Sequence, residues 1–228
     1  MNHHEEIIKE AEEDNKEPSN WYKGPIKIIL GLFMLLLIIM MVVPFYGVKQ
    51  NPEPNYTPTL EEVFYYNYTL SNKTFVIDSV SDFRMFVNSG DPVIKNTANK
   101  IVTVSCKHSN KVCYAKSLYY FIRDNFQYIS DPVDFEYVEK TEDFLISGGG
   151  DCESGTLALA NLIESVGIRT ELVLIPGHAF LRINLPEAIS SYKSENDWIY
   201  LDWTCKNCIF GERPYESVGK SEKYISLS

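Results

Sequence analysis

Five cysteines are spread along this chain, and four of them come as near neighbours: Cys106 with Cys113, and Cys205 with Cys208. The fifth, Cys152, stands alone in GGGDCESGTLALANLIESVG, where three glycines and an aspartate lead into an apolar run of helical spacing. A thiol in the first turn of a helix meets unpaired N–H groups and the positive end of the helix dipole. Both favour the thiolate and pull its pKa below the usual value of about 8.5. A thiolate is half of a catalyst. It needs a base to take its proton and hand one to the leaving group, and that base needs an orienting carboxylate.

Two residues fit those roles. His178 lies where one apolar, β-rich run turns into the next, and Asp202 lies on WIYLDWT, a further strand-like run. Of the other histidines, His3 and His4 belong to a polar tail and His108 to a loop between cysteines. The spacing also suits a core cysteine and a turn histidine that never meet, so the three residue types do not decide the matter by themselves.

The elements that must bring them together can be read from the pattern. Residues from about Ser81 look globular. DPVIKNTANKIVTVSC opens on a proline with Val93, Ile94, Ala98 and Ile101 at helical spacing, and NKVCYAKSLYYFIRDNFQYI carries Cys113, Leu118, Phe121, Ile122 and Phe126 on one stripe. DPVDFEYVEKTEDFLISGGG is a polar connection with room for a short helix. The Glu153 to Val166 run is a helix stopped by Gly167. RTELVLIPGHAFLRINL then reads as strand, Pro176-Gly177 turn, strand. Helices first and an antiparallel sheet after make an α+β domain.

Upstream, Ile28 to Val48 runs 21 residues without a charge. At about 1.5 Å per residue it spans the roughly 30 Å hydrocarbon layer, with Trp21, Tyr22, Phe45 and Tyr46 suited to the two interfaces. The acidic stretch before it and the lack of a small-x-small cut site favour an uncleaved signal-anchor over a signal peptide. Lys9, Lys16, Lys23 and Lys27 precede the run and only Lys49 closely follows, which puts the N-terminus in the cytoplasm and the bulk of the chain outside. The expected organisation is a cytoplasmic tail (1–27), a membrane helix (28–48), an extended proline-bearing spacer (49–80) and the domain (81–228). FYYNYTLSNKTFVIDSV can add a strand or two to the spacer region. Sequons at Asn55, Asn67 and Asn72 lie on the outer side, the first weakened by Pro58. The net charge of −10, with no basic patch, argues against nucleic acid as a partner.

The run GGGDCESGTLALANLIESVGIRTELVLIPGHAFLRI, followed by IYLDWT, resembles the transglutaminase-like superfamily, a papain-like α+β fold, in a membrane-anchored form of the prokaryotic or archaeal kind. The carrying motifs are Gly150-Asp151-Cys152, His178-Ala179-Phe180 and Asp202-Trp203-Thr204, and the likeness covers about Ser81 to Thr204. The resemblance implies that Cys152 is the nucleophile, His178 the general base and acid, and Asp202 the group that fixes the histidine tautomer. It implies an oxyanion held by the Cys152 N–H and one side-chain donor, for which Gln127 and Tyr128 are candidates.

Outside the cell the four paired cysteines, Cys106, Cys113, Cys205 and Cys208, are expected as two disulfides or as one structural zinc site of four thiolates, with redox-active or free thiols as a further reading. Either of the first two ties the last strand to the early helices. No cofactor is required for the chemistry. The expected activity is acyl transfer at Cys152, leading to hydrolysis of amide or peptide bonds in extracellular protein or wall peptide. The alternatives are transglutaminase-type cross-linking and a surface domain that binds a partner without catalysis.

Overall fold

Asp91 and Asn110 set where the first two helices of the folded unit begin. Asp91 accepts from the Val93 and Ile94 N–H groups (2.7 and 3.4 Å), Pro92 takes the first helical position, and the helix runs Pro92–Ser105. Asn110 caps Lys111–Asn125 through the Val112 and Cys113 N–H groups (2.8 and 3.2 Å). Ile94, Ala98 and Ile101 from the first helix and Leu118, Phe121 and Ile122 from the second are buried. Both helices pack on a third, Cys152–Ser165.

The structure is a computed structural model, and it describes residues 7–9, 23–64, 75–76, 80–132 and 137–227. The chain divides into two units, residues 1–47 and 48–228. In the first, the stretch Gly24–Gly47 of the helix Lys23–Gln50 is long and apolar enough, by length and composition, to cross a membrane. The helix begins before Ile28 and outruns the expected segment at both ends. Trp21, Tyr22, Asn67 and Asn72 lie outside the described residues.

In the second unit, β1 (Phe75–Val76) pairs antiparallel with β3 (Tyr137–Val138). Gln127–Tyr128 (β2) pairs in parallel with Gly149–Gly150 (β4). That parallel contact needs glycine: a Cβ on Gly149 would lie 2.5 Å from the Gln127 carbonyl oxygen. A short helix, Thr141–Ser147, precedes β4. The main sheet holds β5 (Arg169–Ile175), β6 (His178–Asn184), β7 (Trp198–Leu201) and β8 (Lys223–Ser226), all antiparallel, in the order β7-β6-β5-β8. One face of the sheet joins the helices around Leu172, Leu181 and Ile183; the other carries a smaller cluster of Val173, Ile175 and Phe180.

Two expectations are corrected. The stretch expected as a spacer packs on the domain over residues 51–55. Lys116 is fully buried in its helix; it donates to Asn51 Oδ1 (2.7 Å) and ion-pairs with Glu53, while the Asn55 N–H donates to the Ser105 carbonyl (2.9 Å). A buried ammonium requires such partners, and this stretch brings them. The second correction concerns the cysteines. Cys106 is bonded to Cys113 and Cys205 to Cys208, so the four sulfurs are disulfides and offer no thiolates to zinc. Each bridge is local, with sequence separations of 7 and 3, so neither ties the last strand to the early helices. Hydrogen bonds instead tie the segment after β7 to the second helix: Tyr119 and Arg123 donate to the Cys208 carbonyl at 3.2 and 2.6 Å.

Candidate active site

Asp151 is the N-cap of the third helix, and its Oδ1 accepts from the Ser154 N–H (2.8 Å), so Cys152 is the first helical residue. The thiol is 92% buried, since only 8% of the residue is exposed. Trp203, wholly buried, donates from its indole N–H to the Cys152 carbonyl (3.3 Å) and so ties the helix start to the segment that follows β7.

The sheet register sets the other two residues. Leu181 stands opposite Leu201, which puts Asp202 one step on, on the same face as Phe180 and His178. His178 Nε2 lies 2.8 Å from Asp202 Oδ2. The second carboxylate oxygen accepts from both the N–H and the hydroxyl of Thr204 (3.0 and 2.7 Å), and the Asp202 carbonyl accepts from Tyr119 (3.2 Å). Asp202 is thus locked, with its side chain only 3% exposed, while the imidazole keeps 22% of its surface open. Engagement of Nε2 leaves Nδ1 as the ring's other hydrogen-bonding nitrogen.

Among the described residues Cys152 makes no hydrogen bond to His178 or Asp202. The backbone of Ala179, the residue after His178, is close enough to the sulfur to pull its pKa down, a smaller effect than those that raise it. The side-chain partner of the sulfur is different from the expected one: Cys152 Sγ lies 2.8 Å from Glu153 Oε2. Burial, first, and the Glu153 carboxylate, second, push the thiol well above the ordinary cysteine range, against the lowering expected from the helix terminus. The sequence gives no sign of this contact, because nothing in the spacing of adjacent residues tells which way a half-buried carboxylate will turn. Of the two oxyanion candidates, Tyr128 is near enough to Cys152 for charge on the sulfur to raise its phenol, after burial as the main cause.

A cleft of about 770 Å³ opens on His178, Asp202 and Thr204 and continues past Arg213, Tyr215 and Val218. Cys152 is not on its wall. Asp151, Cys152 and Glu153 bring their donor atoms within 4.8 Å of one another, but no side chain from another element completes them as a metal-binding set among the described residues.

Burial, and then Glu153, push the Asp151 carboxyl up to about 6. Folding therefore favours its protonated form. The stability this lends is complete below the unfolded value near 3.8 and is lost as the pH rises through about 6. Asp151→Asn keeps the cap and removes the charge. Its melting midpoint is expected above that of the parent at about pH 8, by the equivalent of roughly 1–3 kcal/mol, with no gain at about pH 4. An equal gain at both pH values would contradict this assignment.

No protein-family model matches this sequence, and no curated protein does. Among solved structures the chain is similar to a candidate protease from Parabacteroides distasonis, at 13% identity and a TM-score of 0.45, over 64% of this chain and 28% of that one. It is also similar to Legionella pneumophila LapG: at 18% identity and a TM-score of 0.40 for the calcium-bound form, over 65% of this chain and 82% of that one. The EGTA-treated form gives 19% and 0.39, over 59% and 75%. The chain therefore spans under a third of the Parabacteroides protein, and these are distant likenesses.

Proposed function

We propose that this chain is a membrane-anchored thiol acyl-transfer enzyme that hydrolyses amide or peptide bonds of protein or wall peptide outside the cell. The observation that carries the proposal is the 2.8 Å contact between His178 and Asp202, with the carboxylate fixed by Thr204. A histidine held in one tautomer by a buried carboxylate is the second half of a nucleophilic site. The sulfur beside Ala179 is the first half.

In this reading His178 Nδ1 takes the thiol proton as Cys152 attacks the carbonyl carbon. The oxyanion gathers the Cys152 N–H and the Tyr128 hydroxyl. Collapse expels the leaving amine with the proton from His178 and leaves a thioester, which water, deprotonated by the same imidazole, then hydrolyses. Asp202 orients the ring and stabilises the imidazolium. The helix Lys23–Gln50 serves as the anchor, and the lysine bias before it puts the domain outside.

The test uses the full chain in detergent micelles and p-nitrophenyl acetate as a generic acyl donor. Ester hydrolysis should be lost on stoichiometric iodoacetamide treatment, with the label mapped to Cys152 by peptide mass spectrometry, and lost again in Cys152→Ser. Hydrolysis that survives in Cys152→Ser would sink the reading. The contact between Glu153 and the sulfur favours a silent binding surface as the second reading, and that result would leave it standing.

A further inference from the structure

A carboxylate is a poor neighbour for a nucleophile. While Glu153 Oε2 accepts from the Cys152 thiol at 2.8 Å, ionising the sulfur would set two negative charges side by side in a buried place. The surroundings do not offset this. From the same helix start comes Asp151, whose carboxyl is itself raised by burial and then by Glu153; from β2 comes the Tyr128 phenol; from the loop after β2, Asp131; and from the stretch after β3, Glu139. The favourable donor is the Ala179 N–H from β6. Among the described residues no Lys or Arg ion pair includes Asp151 or Glu153. Glu153 itself is only partly buried, unlike the residues on either side of it, so its side chain has solvent to turn into.

We propose that Glu153 is a latch on Cys152, holding the sulfur as the neutral thiol until an arriving substrate turns the carboxylate away. The proposal rests on the acyl-transfer reading. With the latch closed the proton stays on sulfur. With it open the proton passes to His178 Nδ1, and the sulfur keeps the Ala179 N–H and the helix N-terminus as its partners. The attacking species is then a thiolate beside an imidazolium, and no other proton donor or acceptor is needed. Glu153 is a positioning residue in this scheme, because it acts on the nucleophile and not on the substrate.

The readout is the rate of Cys152 alkylation by iodoacetamide as a function of pH, from about pH 5 to 10, on the full chain in detergent micelles. Glu153→Gln keeps the shape of the side chain and removes its charge. The profile is expected to shift by about one unit towards lower pH, which raises labelling at about pH 7 roughly tenfold. An unchanged profile would overturn the latch, and slower labelling would overturn it too, by making Glu153 the base that activates the thiol. Glu153→Ala should give the same shift and serves if the glutamine variant folds poorly. Combining Glu153→Gln with His178→Ala separates the two proposals. If the double variant labels as fast as Glu153→Gln, the latch stands and the histidine-assisted site falls. If His178→Ala slows the parent while Glu153→Gln changes nothing, the site stands and the latch falls.

Discussion

His178→Ala should lower Cys152-dependent hydrolysis of p-nitrophenyl acetate by about 10²–10⁴-fold, the range that a positioned general acid–base contributes. The size follows from how the ring is held. Nε2 is committed to a carboxylate that is itself fixed by two Thr204 donors, so the imidazole presents Nδ1 with little freedom to lose at the moment of reaction. Removing the ring leaves a thiol that burial and Glu153 keep protonated. Asp202→Asn should be about as severe, because the Thr204 N–H holds the amide oxygen and turns the amide NH2 toward Nε2, which leaves the proton on Nδ1. The measurement is the second-order rate for each variant, corrected for the rate left in Cys152→Ser. A fall of less than fivefold in His178→Ala would mean that the histidine takes no part in the chemistry.

The largest structural effect is expected at Gly155, one turn into the same helix. A Cβ built there would lie 2.2 Å from two ring carbons of Trp203. The indole cannot step aside, because it is wholly buried and packs edge-on against Phe144 (centroids 5.6 Å), which stacks on Phe126 (4.8 Å). Gly155→Val must therefore push the helix off the sheet or force the indole out of its slot. Overpacking of this kind costs about 3–5 kcal/mol, beyond the usual 1–3, since no flexible atom can give. For a unit of this size that is a drop of about 10 °C or more in the melting midpoint. Thermal denaturation of the full chain in detergent gives the answer, and a variant melting within about 2 °C of the parent would show that the helix and Trp203 are less closely fitted than the packing indicates.

The parts of the fold that declare themselves by local chemistry were readable before any coordinates. Pro92 and Gly167 mark helix ends by fixed backbone angle and by backbone freedom, and the Pro176-Gly177 turn separates two apolar, β-rich runs. The parts that depend on distant partners were not. The stretch 51–55 reads as a tether because its prolines exclude regular structure, and only the need to pair Lys116, remote in sequence, shows that it belongs to the domain. Strand β8 is four residues long and lies at the sheet edge against β5, too short for alternation to stand out. Within the site, the residue types and order suggested Cys152, His178 and Asp202, and the sheet register accounts for the second and third being neighbours. The turn of Glu153 onto the sulfur depends on rotamer and burial, and adjacent positions in a sequence carry no signal of either.

The short reach of the two disulfides bears on how the molecule is made. Five cysteines offer many wrong partners during synthesis, but each correct pair here lies 7 or 3 positions apart, and chain segments that close find each other before distant ones do. Cys152 meanwhile is withdrawn into a helix start and held by a neighbouring carboxylate, away from exchange. Closure of the two correct bridges thus asks for no pairing across the sheet. Once the helices and sheet are in place, burial keeps the fifth sulfur out of further exchange.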